Sequence, residues 1–318
     1  MGLVLVFVLG MSSMVIAGNE ASITQEGEEQ SAEIEQSGED NFASIETPGV
    51  GNIDAIIQEG HSNFVDILRT ETDYHTNYDS ETTVEQFGED HFAEIEQSGT
   101  ADESFSLLYQ EGSDHHARIF QGGNETEGIV EQEGSDQEAY ISLGSPNSYA
   151  EILQTGESNY GSVNYTFGNS NEGIIHQTGE DNFADIESTA GVDHTDTIIQ
   201  EGSENRAGIT RDPDIIFPDS WESEVQIHQL GEGNIANADQ RGENNTAKIN
   251  QGFAVHDWDE VESSQNAANI EQDGDNNWAA IGQWGDDNEA NINQIGVGHS
   301  AEIKQIGDGN TASISQSD

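Results

Sequence analysis

Small or apolar residues alternate with polar ones along most of the chain, and the alternation restarts about every eleven residues. The stretch QSGEDNFASIE at 36–46 returns as QFGEDHFAEIE at 86–96 and as QTGEDNFADIE at 177–187. Aligned on a final Gln, each unit reads N-x-A-x-I-x-Q followed by x-G-x-x, and 25 such units follow one another. Selected positions two residues apart are typical of a β-strand, whose side chains alternate between two faces. The pattern therefore predicts an all-β protein in which Asn, Ala, Ile and Gln share one face.

The four-residue links between the strands predict how the strands stack. A link this short cannot hold a helical crossover, so each strand leads through one tight turn, with Gly free to take positive φ, into the next. Antiparallel hairpins would satisfy this locally. Identical inward residues in every unit favour a coil instead, in which every second strand stacks in parallel at ~4.8 Å. We predict a flattened two-sheet parallel β-solenoid of about 12 rungs, with about 22 residues in each rung.

The inward residues predict a thin core of Ile and Ala with amide ladders at its margins. Side-chain amides both donate and accept hydrogen bonds, so stacked Asn and Gln columns can bond along the coil. Solvent-exposed polar filler is the alternative, but period 2 places these amides on the Ile face. The structural ladder is represented by Gln36, Gly38, Asn41, Ile45, Gln86, Gly88, Ile95, Gln97, Gln177, Gly179, Asn182, Ile186, Gln240, Gly242, Asn245, Ile249 and Gln251.

Aromatic residues recur at the first outward position after the regular turns. The predicted outer aromatic stripe comprises Phe42, Phe64, Phe92, Tyr160, Phe183 and Trp278. One interpretation is a stacked ladder that stabilises one sheet face. The other is an adhesive stripe for fibre bundling or for stacking on sugars.

Two further features set the predicted domain organisation. The segment 1–17 is short and apolar and ends in small residues, which predicts a secretory signal peptide. The predicted repeat solenoid occupies 18–318. Loop insertions interrupt the repeat near 69–80, 211–222 and 252–265. Such insertions are either tolerated surface loops or binding loops.

The charge of the chain constrains its partners. With 63 acidic residues against 7 Lys and Arg, the formal net charge of -56 argues against a nucleic-acid partner. No segment after the signal is apolar enough for membrane insertion. Outward acids stacked at ~4.8 Å repel by ~1 kcal/mol per pair in water, so their charge must be screened. Adaptation to molar salt is one explanation. The other is divalent cations at turn carboxylates, with metal candidates Glu39, Asp40, Glu89, Asp90, Glu180 and Asp181.

Signals of catalysis are absent from the sequence. The ten His residues show no metal-binding spacing, and the chain has no nucleophile elbow, phosphate-binding loop, dinucleotide fingerprint or Cys. We therefore predict a protein that is not an enzyme and needs no cofactor.

The repeat resembles a known family. QRGENNTAKINQ at 240–251 and QIGDGNTASISQ at 305–316 are similar to the curlin repeat of curli fibre subunits. The resemblance implies a secreted functional amyloid of the biofilm matrix, exported by secretion machinery and nucleated by a related minor subunit. In one unit, the resemblance implies that the ladder residues are Gln86, Gly88, Ala93 and Gln97. His91 stands in that unit where the family usually has Asn. This chain is longer and more acidic than usual curlin subunits.

Two functions remain open from the sequence. The repeat runs from Asn19 to Gln316, so both terminal rungs are expected to offer unpaired backbone groups to a second copy. The favoured interpretation is a head-to-tail homopolymer, a fibre at the cell surface for biofilm or adhesion. The alternative is a monomeric adhesin or glycan-binding solenoid that uses the aromatic stripe and the loops.

Overall fold

The computed structural model describes residues 18–70, 79–98, 101–189, 191–211, 222–252 and 263–317. These residues divide between two compact units, Met1–Glu157 and Ser158–Asp318. They form strands and turns without any helix, so none of them lies in a helical membrane span. The predicted signal peptide and most of the three predicted insertions, at 71–78, 212–221 and 253–262, lie outside the described residues.

The described residues form twelve strands in the first unit and fourteen in the second. In the first unit they are β1 (Glu20–Glu28), β2 (Ser31–Glu39), β3 (Phe42–Val50), β4 (Ile53–His61), β5 (Phe64–Arg69), β6 (Glu81–Glu89), β7 (Phe92–Gln97), β8 (Phe105–Ser113), β9 (His116–Gln121), β10 (Glu127–Ser135), β11 (Glu138–Leu143) and β12 (Tyr149–Glu157). In the second they are β13 (Tyr160–Tyr165), β14 (Glu172–Glu180), β15 (Phe183–Ser188), β16 (Thr195–Ser203), β17 (Arg206–Arg211), β18 (Glu224–Glu232), β19 (Ile235–Arg241), β20 (Thr246–Gln251), β21 (Ser263–Ser264), β22 (Ala267–Asp273), β23 (Trp278–Trp284), β24 (Glu289–Ile295), β25 (Ser300–Ile306) and β26 (Thr311–Ser317).

In the first unit, successive strands alternate between two parallel sheets. One sheet has the order β1-β3-β5-β7-β9-β11, and the other has the order β2-β4-β6-β8-β10-β12. Strand β2 pairs with β4 in a register that sets Gln36 beside Gln58, one rung of 22 residues further on. Every second strand therefore stacks on its equivalent, as the repeat predicts.

The second unit has the same alternation. One of its sheets runs β13-β15-β17-β19-β22-β24-β26 and the other runs β14-β16-β18-β20-β23-β25, with the two-residue β21 also paired to β18. Together the two units contain about 12 turns of strand–turn–strand coil. The predicted fold class, a two-sheet parallel β-solenoid, is confirmed.

The alternation along each strand separates the core from the outer face. In β7, Ala93, Ile95 and Gln97 are fully buried, whereas Glu94 and Glu96 on the other face are half-buried. The same division holds along β15, where Ala184 and Ile186 are buried. Period 2 in the sequence therefore set the strand phase, because apolar side chains gain stability only on the inner face.

The strand ends beside the turns bring backbones of successive rungs into contact. Gly88 has φ of 136°, and a Cβ added there would fall 1.9 Å from the carbonyl oxygen of Gly112 in the next rung. A side chain at this position would push the stacked turns apart. Glycine is required here both by its positive φ and by the close approach.

Candidate functional site

Buried glutamines form a continuous hydrogen-bond ladder within each unit. In the first unit, Nε2 of Gln58 donates to Oε1 of Gln86 at 2.9 Å and to the carbonyl oxygen of Phe42 at 3.0 Å. In the second unit, Nε2 of Gln177 donates to Oε1 of Gln200 at 2.8 Å. Each amide thus bonds both to the facing strand and to the next rung, which satisfies a polar group that burial would otherwise penalise.

Asparagines at the turns form the second predicted column. Nδ2 of Asn41 donates to the carbonyl oxygens of Ser37 and Gly60, both at 3.0 Å. Oδ1 of Asn41 accepts the backbone N–H of Asn63, the equivalent residue of the next rung, at 3.0 Å. The Asn side chain therefore closes its own turn and also holds the turn above it.

His91 occupies one of these Asn positions and makes the equivalent bonds. Its Nε2 bonds the carbonyl oxygen of Phe87 at 3.2 Å, and its Nδ1 accepts the backbone N–H of His115 at 3.4 Å. The rings of His91 and His115 stack with centroids 5.0 Å apart. This pattern fits a neutral ring with its hydrogen on Nε2. Burial lowers the pKa of His91 to about 4.

The other predicted ladder residues lie on the same inner face or in its turns. Ile45, Ile95, Ile186 and Ile249 are buried in the core. Gly38 and Gly179 take positive φ near the ends of β2 and β14, and Gly242 takes positive φ in the turn after β19. The remaining amides are at buried or half-buried inward positions, namely Gln36, Gln86, Gln97, Asn182, Gln240, Asn245 and Gln251.

A buried ion pair in the first unit was not foreseen from the sequence. Nη1 of Arg69 lies 2.7 Å from Oδ2 of Asp54, and both side chains are fully buried. The guanidinium also donates to Thr47 at 2.9 Å and to Thr82 at 3.1 Å. Burial raises the pKa of Asp54 to about 6, although Arg69 acts in the opposite direction.

The second unit contains a matching pair. Arg211 contacts both carboxylate oxygens of Asp196, and the hydroxyl of Tyr165 donates to Oδ2 of Asp196 at 3.2 Å. Burial raises the pKa of Tyr165. In each pair an Asp replaces the usual Ala, and an Arg replaces the usual Gln fifteen residues later. That joint departure from the repeat is the signal that could have revealed both pairs.

Most of the predicted aromatic stripe forms stacks along the sheets. Phe42, Phe64 and Phe92 stack with centroids 4.8 and 5.0 Å apart, and Phe92 stacks on His116 at 4.6 Å. In the second unit, Tyr160 stacks on Phe183 at 4.8 Å. The ring faces are therefore largely covered by one another, which favours the ladder interpretation over stacking on sugars.

Trp278 does not belong to the stripe. It begins β23, in the sheet of β14, where it stands beside Thr246 and Ser300. The turn before it, at 273–277, has the x-G-x-x form of the regular turns but connects the sheets at the opposite edge. The prediction that Trp278 belongs to the outer aromatic stripe was wrong, because turns with the same local sequence lead into either sheet.

The structure does not bring the predicted metal candidates into a cation site. Among the described residues, no group of three or more His, Asp or Glu is placed to hold a metal ion. Asp40, Asp90 and Asp181 have φ of 57°, 57° and 53°, the left-handed conformation that Asp tolerates in turns. Their placement explains these acids as turn residues, and Glu39, Glu89 and Glu180 precede them at strand ends.

Comparison with protein families agrees with this geometry. A family model, the curlin associated repeat, matches residues 17–46, 168–210, 265–296 and 285–317. These four regions of the chain carry the curlin repeat. Comparison with curated protein sequences gave no match. The unmatched region between the first two matches carries the same inward pattern, since Gln86 donates to Gln110 at 2.8 Å.

The matched repeat indicates the general class of function. Curlin repeats indicate a structural subunit of the curli type, and the stacked solenoid fits that class. The amide ladders, turns and buried ion pairs described above are then structural features of the stacked rungs, and the outer face of the rungs is acidic.

Proposed function

We propose that this chain is a secreted structural subunit that assembles with copies of itself, head to tail, into curli-like amyloid fibres of a cell surface or biofilm matrix. A nucleating subunit and secretion machinery would be its partners during assembly. The role is structural, without a catalytic step or a cofactor.

The equivalence of the rungs carries the proposal. Strands β24 and β26 pair Ala290 with Ala312, Ile292 with Ile314 and Gln294 with Gln316, and other strands of the unit repeat this register. A rung that stacks on its neighbour within the chain offers the same groups to a rung of another copy. Such identical, in-register strands are the basis of cross-β assembly.

The last described strand favours such a contact. Within the described residues, β26 pairs only with β24, and its inward side chains Ala312, Ile314 and Gln316 are partly exposed. Nε2 of Gln316 donates to the carbonyl oxygen of Ser300 at 3.1 Å, and Oε1 of Gln316 accepts from Gln294. One amide hydrogen remains for the Oε1 of a further stacked Gln, as in the rungs below.

The test compares two substitutions on β26 in the purified chain. Ile314→Lys places a charge on the stacking surface, whereas Ser313→Lys places it on the exposed outer face. We expect the unsubstituted chain and Ser313→Lys to form fibres with diffraction reflections at ~4.8 Å and ~10 Å, and Ile314→Lys to remain soluble. A chain that stays monomeric at high concentration in molar salt would contradict the fibre proposal and favour a monomeric surface adhesin.

A further inference from the structure

The second unit carries an open pocket on the outer face of β15, β17 and β19. Its volume is about 440 Å³, and Gly208 is one of its lining residues. The register places Asp185 on one side of Gly208 and Asn237 on the other. The pocket therefore exists because Gly208, which lies between Asp185 and Asn237 on the outer face, has no side chain.

The backbone does not demand glycine at this position. A Cβ added at Gly208 would meet one neighbouring atom, Oδ1 of Asn237 at 3.1 Å, and φ lies outside the left-handed region. Glycine in the interior of a strand weakens the strand and often marks a bulge, a tight bend, or a site where a ligand or another backbone approaches closely. Gly208 thus differs from Gly88, which stacked turns require.

The guanidinium of Arg206 lines this pocket. Arg206 lies over the ring of Phe183 at 5.4 Å, and within the described part of the chain it forms no ion pair. Arg118 is held over Phe92 in a similar way at 5.5 Å, but its Nε pairs with Glu94 at 2.9 Å. In a chain with 63 acidic residues, a cation left without an acidic partner leaves its donors available to a ligand.

The rest of the lining mixes hydrogen-bonding and apolar groups. Asp185 supplies carboxylate oxygens, while Asn237 and Thr210 can both donate and accept. Ile235 is 44% exposed and, with Phe183, gives the pocket an apolar side. Donors, acceptors and an apolar surface around one small cavity are the features that bind a molecule with several hydroxyl groups and a C–H face.

We propose that the pocket around Gly208 binds one sugar ring of a neutral glycan chain. Ring hydroxyls would donate to Asp185 and accept from Arg206 and Asn237, while the C–H face of the ring would pack on Ile235. The net charge of -56 disfavours a polyanionic glycan, because its approach is repelled. The pocket is open to solvent, so a sugar within a longer chain can enter it without a free end.

Fibre assembly does not require this site, and the test keeps the two apart. Gly208→Thr fills the pocket with a residue that favours strands, so the fold is retained or strengthened. Ser44→Thr is the matched control, an outward substitution of β3 that leaves the pocket unchanged. Binding is measured by calorimetry in molar salt with hexasaccharides of glucose, mannose and N-acetylglucosamine, and with a galacturonate hexamer as the charged probe. Fibre formation by each variant is recorded separately.

We expect at least one neutral hexasaccharide to bind the unsubstituted chain and Ser44→Thr equally, and Gly208→Thr to weaken that binding by about tenfold or more. Asp185→Asn and Asn237→Ala should weaken it as well. All three pocket variants should form fibres as the unsubstituted chain does. Failure of every neutral probe to bind, unchanged binding by Gly208→Thr, or tighter binding of the galacturonate hexamer would each overturn the proposal, whatever the fibre result.

Discussion

Arg69→Gln tests what the buried ion pairs do for the coil. The substitution restores the residue that most units carry at this position, so by the repeat pattern alone it should stabilise the protein. The structure predicts the opposite. Arg69 is fully buried against Asp54, and its removal leaves that carboxylate in the core without its cation.

The expected magnitude follows from the burial of both groups. Removing one partner of a buried ion pair costs about 3–5 kcal/mol, since the remaining charge keeps its desolvation penalty and loses its compensation. We expect Arg69→Gln and Asp54→Ala each to lower the free energy of unfolding by about that amount. The double variant has Gln and Ala, the usual repeat residues, at these two positions, and it should recover most of the stability that each single change loses, because no unpaired charge stays buried.

The assay is urea unfolding of the soluble chain, followed by circular dichroism. Because a solenoid can open in parts, hydrogen exchange of the amides in β4 and β6 is measured in parallel. Arg118→Gln is the control. It removes an exposed pair with Glu94, whose side chains are 49% and 39% exposed, so it should cost less than about 1 kcal/mol.

The double-mutant cycle decides the outcome. If Arg69→Gln is as mild as Arg118→Gln, or if the two single changes simply add in the double variant, the pair does not act as a coupled buried unit. If the double variant recovers the stability, Asp54 and Arg69 act as a coupled pair that distinguishes their rung from the many similar rungs. The pair would then disfavour a strand register shifted by one whole rung, since the shift leaves both buried charges unpaired.

Three further predictions concern the core, pH and salt. Ile186→Asp buries an unpaired charge and should cost several kcal/mol in urea unfolding, whereas Asp185→Asn, on the outer face, should be neutral or mildly stabilising; equal effects would contradict the strand phase. The pKa of His91 is lowered on folding from 6.5 to about 4, so the unfolded chain binds the proton more tightly. The stability that neutral His91 contributes is then complete above about pH 6.5 and is lost as pH falls toward 4. His91→Asn should remove this pH-dependent part of the free energy of unfolding. Identical profiles of stability against pH for the variant and the unsubstituted chain would contradict the prediction. Assembly, followed by light scattering, should accelerate from low to molar sodium chloride because the stacked acids are screened. Calcium at matched ionic strength should act no faster than sodium, and a calcium-specific effect reversed by a chelator would restore a metal-site explanation.

The sequence by itself determined the repeating parts of the fold. Alternation fixed which face of every strand is buried, as Ile95 and Ile186 illustrate, and the short glycine turns fixed the strand–turn–strand coil. These features are local, and each recurs in register one rung later. A residue such as Gln58 therefore meets its own equivalent, Gln86, so the ladder follows from one unit and its period.

Tertiary structure decided what happens where the repeat is broken. Asp54 and Arg69 lie on different strands and meet only because the two sheets face one another, so neither residue reveals its partner locally. The environment of Trp278 depended on which sheet β23 joins. The sequence does not show this, because the turn before Trp278 has the same form as turns at the other edge of the coil. The pocket at Gly208 needs three strands in register, because the cavity is made by what the neighbouring side chains leave open. Period and turn length act within a few residues of chain, whereas these contacts depend on the order and facing of the sheets.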